Sequence, residues 1–152
     1  MNTLVVCYSK YGNTYRIAQA IADPLEARGD VKTIDFTQLT VDDLEASDLL
    51  VVGTPTHNMN LPKKLKPVIE HLPRGCLAGK PVAVFDTSYK MSWLLNRFTA
   101  SKRLAKKMSK LGGKLVVPPE IFLVAGREGP LIDGEVSRAK NWGDLLISKA
   151  GN

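Results

Sequence analysis

Ser9-Lys10-Tyr11-Gly12-Asn13-Thr14 is the stretch of this 152-residue sequence that holds the most chemistry. It follows a short apolar run, Leu4-Val5-Val6-Cys7-Tyr8, and leads into residues spaced as in a helix. Small hydroxyl and amide side chains, a glycine that permits a tight turn and the unpaired N–H groups of a helix start make a concave anion site, which suits a phosphate. The alternative is a plain turn at Gly12-Asn13 with Thr14 as a helix cap. The segment has neither the Gly-Lys-Ser/Thr of a P-loop nor a Gly-x-Gly-x-x-Gly fingerprint, so the phosphate would belong to another kind of cofactor. Two further polar segments follow apolar runs in the same way: Gly53-Thr54-Pro55-Thr56-His57-Asn58-Met59-Asn60-Leu61-Pro62 and Asp86-Thr87-Ser88-Tyr89.

The elements that must position these segments are legible as alternating strands and helices. Leu4–Tyr8, Val31–Phe36, Leu49–Val52 and Val82–Phe85 read as strands, and a fifth is spread over Leu115–Val117 and Ile121–Val124 around Pro118-Pro119. Three of these runs are almost continuously apolar, as inner strands of a parallel sheet are, so helices must cover both faces. Ile17, Ile21 and Leu25 mark the first helix, with Gly29 placed at its C′ position and Pro24 expected to kink it or end it early. Leu94, Phe98, Leu104, Met108 and Leu111 mark a long helix from Trp93 to Leu111, ended by Gly112-Gly113. Val136, Ala139, Gly143 and Leu146 mark a last one after Asp133-Gly134, while 37–47 and 62–72 have no clear pattern. The expected architecture is one domain, residues 1–152: an α/β, open, doubly wound, five-stranded parallel sheet in three layers. Ligands of such sheets bind at the carboxyl ends of the strands, where all three polar segments fall.

Composition excludes several classes. With 44% hydrophobic and 24% charged residues the chain is neither disordered nor a coiled coil. No apolar run reaches the roughly 20 residues of a membrane span and the start lacks a secretory signal pattern, so a cytoplasmic location is expected. Cys7 and Cys76 form no Cys-x-x-Cys pair, and neither they nor His57 and His71 have the partners of a metal site. Cys7 reads as a core residue, Cys76 as exposed, His71 as structural or exposed and Trp142 as packing.

The net charge of +6 is uneven: residues 1–75 hold 8 Lys and Arg against 9 Asp and Glu, residues 76–152 hold 13 against 6. Between Asp86 and Glu120 there is no carboxylate, yet Lys90, Arg97, Lys102, Arg103, Lys106, Lys107, Lys110 and Lys114 all occur there. This stretch is either a solvated helix face or a docking surface for something acidic. Without regular aromatic interleaving it gives no support to nucleic-acid binding.

Tyr8-Ser9-Lys10-Tyr11-Gly12-Asn13-Thr14 resembles the phosphate loop of the flavodoxin-like proteins, which bind FMN; Gly53–Pro62 resembles their second flavin loop, and Asp86-Thr87-Ser88-Tyr89 falls where the third flanks the isoalloxazine ring. The resemblance implies that Ser9, Lys10, Tyr11, Gly12, Asn13 and Thr14 hold the FMN phosphate and that Thr54, Pro55 and Thr56 lie beside the ribityl chain and ring. It also implies that His57, Asn58, Met59 and Asn60 border the redox edge, that Asp86, Thr87 and Ser88 belong to the third loop, and that Tyr89 stacks on the ring. It implies an electron carrier cycling among oxidised, semiquinone and hydroquinone flavin, with no catalytic side chain of its own and with redox proteins as partners. Flavodoxin carriers are acidic around the flavin, whereas this chain is basic, which favours acidic partners. The second loop also lacks Trp and Tyr, so an open flavin face leaves room for a second function, an FMN-dependent oxidoreductase acting on a quinone or a porphyrinogen. A third alternative is a non-redox binding module on the same fold. Oligomeric state has no signature in the sequence.

Overall fold

The apolar runs form strands whose side chains alternate between two buried faces, and the amphipathic stretches cover those faces. The computed structural model describes residues 1–56, 60–89 and 99–151. In chain order the elements are β1 (Thr3–Cys7), α1 (Asn13–Glu26), β2 (Val31–Asp35), a 3-10 turn (Phe36–Gln38), α2 (Val41–Glu45), β3 (Leu49–Pro55), α3 (Leu65–Glu70), β4 (Pro81–Tyr89), α4 (Ala100–Lys110), β5 (Lys114–Leu115), β6 (Glu120–Val124) and α5 (Glu135–Ala150). The strands are parallel in the order β2-β1-β3-β4-β5. β6 also pairs with β4, further along, so β5 and β6 are two pieces of one edge strand interrupted at Pro118-Pro119, where no N–H is available. The expected five-stranded doubly wound sheet is present.

On one face Val5, Val51, Ala83 and Phe85 pack against Ile17, Ile21 and Leu25 of α1 and Ala139, Trp142 and Leu146 of α5. On the other Leu4, Val6, Leu50, Val52, Val82 and Val84 meet Leu65 and Ile69 of α3 and Leu104 and Met108 of α4. Trp142 packs as expected, its ring set edge-on to Phe85 and Phe122 with centroids 6.1 Å apart in each pair. Phe85 lies over Gly53, where a Cβ would come within 2.0 Å of the ring.

Several boundaries differ from those the sequence suggests. β4 runs on through Asp86-Thr87-Ser88-Tyr89, so the third expected loop is the end of a strand, and β3 likewise includes Gly53, Thr54 and Pro55. α1 neither stops nor breaks at Pro24 but continues to Glu26. The pyrrolidine ring abuts Gly143 of α5, and this packing offsets the lost backbone bond. Gly29 stands two residues beyond the Ala27 cap instead of at C′. Of the helix expected over 93–111, the described part is α4; its Gly112, at φ +101, and Gly113 close it as foreseen, with their N–H groups donating to Ser109 and Met108 carbonyls. Within 37–47, Thr40 and Asp43 cap α2 reciprocally. Within 62–72, Pro67 sits in the first turn of α3, where its missing donor costs little.

α1 and α5 approach closely at Gly143. A Cβ on Gly143 would stand 2.5 Å from the Ile21 carbonyl oxygen and 2.6 Å from Pro24 Cγ. Gly143→Ala is therefore expected to destabilise the fold by about 1–3 kcal/mol despite alanine's better helix propensity. Denaturant unfolding at neutral pH checks this; unchanged or raised stability would show that the two helices can separate freely.

Candidate functional site

The strand order reverses between β1 and β3, whose neighbours lie on opposite sides, and the chain leaves the carboxyl ends of these two strands in a crevice. Ser9 organises the connection after β1: its Oγ accepts hydrogen bonds from the N–H groups of Gly12 (3.0 Å) and Tyr15 (3.3 Å). Gly12 is the N-cap of α1 at φ +90, a conformation that side-chain-bearing residues rarely adopt. The N–H groups of Asn13 and Thr14, the first two of the helix, have no acceptor among the described residues. Two free amides and the positive end of a 14-residue helix thus face the crevice.

Other segments are fastened to this loop. The hydroxyls of Thr14 and Thr87 share a buried hydrogen bond of 2.8 Å. Asn13 Nδ2 donates to the Glu128 carbonyl at 3.0 Å, which brings in the connection after β6. Thr56 N–H donates to the Thr87 carbonyl at 3.0 Å, and Thr56 Oγ1 accepts from Ala100 N–H at 3.1 Å, joining β3, β4 and the start of α4. The last connection is anchored by Glu135, which accepts from Leu123 N–H at 2.7 Å and pairs with Arg138 at 2.7 Å. The hydrogen bond from Arg138 is the main reason that its carboxyl titrates below the ordinary range.

These segments enclose a cleft of about 810 Å³, inside the range of small-molecule and cofactor sites. Of the residues expected in a site, Lys10, Tyr11, Asn13, Thr14, Pro55, Thr56, Asn60, Thr87, Ser88 and Tyr89 line it together. Tyr89 is 41% exposed. Ser9 and Gly12 line a smaller adjoining cavity of about 330 Å³ with Asp35 and Tyr15. Thr54 and Asp86 are fully buried and line neither. His57, Asn58 and Met59 lie outside the described residues, as does Trp93. Tyr8, Leu61, Pro62, Lys63, Lys64, Val124 and Arg127 line the cleft as well. Arg127 follows the last strand, and the rule that ligands gather at strand carboxyl ends points to that connection as much as to the other three.

Among the described residues no group of His, Cys, Asp and Glu could hold a metal ion. Cys7 is buried, and burial first, then the charge of Asp35, pushes its thiol up to about 12, so it is an inert core residue. Cys76 is half-buried, not exposed as its sequence context suggests. His71 is exposed, with Nδ1 bonded to the Pro67 carbonyl.

The chain matches the family model described as flavodoxin over residues 5–142. It is 32% identical over 106 residues to a flavodoxin from Synechocystis, an alignment covering 69% of this chain and 62% of that protein. It is 29% identical over 118 residues to an NAD(P)H dehydrogenase (quinone) from Geobacter sulfurreducens, covering 58% of each. The chain thus spans about three fifths of the length of these relatives. Among solved structures it superposes on oxidised flavodoxin 2 from Bacillus cereus with a TM-score of 0.80 at 22% identity, over 98% of this chain and 99% of that one, a likeness of fold.

Asp86 lies directly behind the cleft. Its Oδ2 accepts from Ser101 N–H at 2.8 Å and its Oδ1 from the Ser88 hydroxyl at 3.2 Å, so it ties the end of β4 to the start of α4. Burial raises its pKa, and the bonds from Ser101, Thr99 and Ser88 only partly counter this. The folded state therefore holds the Asp86 proton to higher pH than the unfolded chain does. Between the unfolded value near 3.8 and the raised folded value, stability falls as pH rises. Asp86→Asn should remove that slope, measured by thermal unfolding at intervals from about pH 4 upward. Identical pH profiles for the variant and the parent would refute the assignment.

Proposed function

The chain belongs to the flavodoxin family, and from that premise we propose that it binds FMN noncovalently in the cleft between β1 and β3 and works as an electron-transfer protein, a single cytoplasmic domain acting with redox protein partners. The observation that carries this reading is the pair of amides on Asn13 and Thr14 that have no acceptor among the described residues, set in one cleft with the hydroxyls of Thr56, Thr87 and Ser88. Backbone N–H groups at a helix start suit a phosphate dianion. Hydroxyls from two segments suit a polyhydroxylated chain, and an exposed tyrosine suits a flat ring. When bound, FMN supplies one-electron and two-electron redox chemistry that no side chain of this protein can supply.

The protein's own part is to bind, orient and shield. Ser9 fixes the loop, so the amides need no rearrangement to meet an anion. Thr87 and Ser88 hold the cleft wall, braced from behind by Asp86 and from the side by Thr14. Tyr89 offers a face to the ring, and an aromatic neighbour disfavours a fully reduced, electron-rich ring. Among the described residues no helix is long and apolar enough to cross a membrane.

A second reading is favoured by the relatives: alongside flavodoxins they include proteins described as quinone reductases, among them an FMN-dependent NADH:quinone oxidoreductase from Nostoc. On that reading the open side of the cleft admits a small oxidant. A reductive titration of the purified yellow protein separates the two. Accumulation of a one-electron-reduced state favours the carrier, while rapid NADH oxidation with a quinone and no second protein favours the reductase. A colourless protein that fails to take up added FMN would refute both and leave a binding module.

Two substitutions test the binding mode. Gly12→Val forces a β-branched residue to φ +90 and should weaken FMN about tenfold or more while weakening riboflavin far less, since only FMN carries the phosphate. Equal losses by fluorescence titration would reject the phosphate assignment. Tyr89→Ala should move the flavin midpoint potential by roughly 20–60 mV, the one-electron equivalent of about 0.5–1.5 kcal/mol of stacking. An unshifted potential would place Tyr89 away from the ring.

A further inference from the structure

Among the described residues, the charged ones that line the cleft are all cationic: Lys10, Lys63, Lys64 and Arg127. They come from the connections after β1, β3 and β6, all four are exposed, and none forms an ion pair among the described residues. The carboxylates of the last connection, Glu128 and Asp133, are not among the lining residues, and Asp86 is sealed behind the wall. Deeper in, the lining is neutral, with Thr14, Thr87, Ser88 and Val124 all buried.

This distribution discriminates between kinds of anion. A small carboxylate substrate is fixed by cations inside the cleft, in bidentate or charge-assisted hydrogen bonds. Here the interior offers hydroxyls and apolar surface, and the cations stand at the rim. Rim charges act at long range, steer encounters and select partners by the sign of a whole surface. Tyr11 and Tyr89, 42% and 41% exposed at the same mouth, add the aromatic contact area that protein interfaces favour. We propose that the mouth of this cleft docks the acidic face of a redox protein, with Lys63, Lys64 and Arg127 supplying the attraction. The proposal rests on the FMN reading above. In each encounter one electron leaves the reduced holoprotein and one metal centre of the acceptor gains it.

The test uses two forms of one acceptor that differ in charge: native cytochrome c, which is basic, and its lysine-succinylated, acidic form. Absorbance first establishes which of the parent protein and its variants carry FMN; a parent protein without it refutes the proposal together with the reading beneath it. Stopped-flow reduction of ferric haem to ferrous by the reduced holoprotein then gives the rate. Isothermal titration of the oxidised holoprotein gives binding with no electron transfer. With the succinylated form the rate should fall about tenfold or more between low salt and about 0.5 M, where charges are screened within a few ångströms. With the native form it should rise. Lys63→Glu/Lys64→Glu/Arg127→Glu should abolish the preference for the acidic acceptor and its binding heat. Lys106→Glu/Lys110→Glu, on α4, should leave the preference intact. A salt-independent rate with the acidic form, or a preference lost in the α4 variant and kept in the rim variant, would overturn the proposal. If the rim variant does not take up FMN, the salt dependence of the parent protein with the two acceptors decides alone.

Discussion

The site depends on a helix that begins with unsatisfied donors at the place where the sheet changes direction. Backbone N–H groups are costly to leave unpaired away from water. At the start of α1 the Ser9 hydroxyl satisfies those of Gly12 and Tyr15, and the two between them have no acceptor among the described residues. The strand order then fixes where they point, since the connections after β1 and β3 leave their strands on either side of one crevice. A cofactor that carries an anionic tail would complete the hydrogen bonding of the fold at this point.

The rest of the molecule holds that arrangement rigid. Thr14, the residue that presents one open amide, is also bonded to Thr87 at the end of β4, and its neighbour Asn13 reaches the connection after β6. The end of β4 is tied in turn to the start of α4 through Asp86, and Thr56 closes the circuit from β3. Distant parts of the sequence therefore meet through short polar contacts over an apolar sheet. Phe85, one residue before Asp86, packs in the opposite direction against Phe122 and Trp142, so alternate residues of β4 serve the core and the polar network.

Much of this was legible in the sequence because its physical cause is local. Continuous apolar runs mark inner parallel strands, and the loop at Ser9–Thr14 is recognisable by its own residue types. Pro118-Pro119 announced the break in the edge strand. What escaped depends on partners remote in the chain. Nothing near Gly53 shows that its missing side chain makes room for the Phe85 ring, and nothing near Pro24 shows that Gly143 will receive it. Asp86-Thr87-Ser88-Tyr89 is polar enough to read as a loop, yet pairing with β6 keeps it in the sheet. That pairing is also why Asp86 turns away from the cleft while Thr87 faces Thr14.

Affinity for the cofactor and choice of partner draw on forces of different range, and the structure separates them. Hydrogen bonds from a loop and a helix start act over about 3 Å and are indifferent to net charge several residues away. Surface potentials act over about 10 Å at moderate salt and depend on the sum of many exposed side chains. Short-range contacts of this kind can therefore persist while the surface around them changes sign, and a chain with a net charge of +6 can keep the fold of this family. What must change with the surface is the sign of the partner: like charges facing each other at a cleft mouth repel, whatever the chemistry within. The cations that line the cleft stand at its rim, where they cost the binding chemistry little and present the most field to an approaching surface.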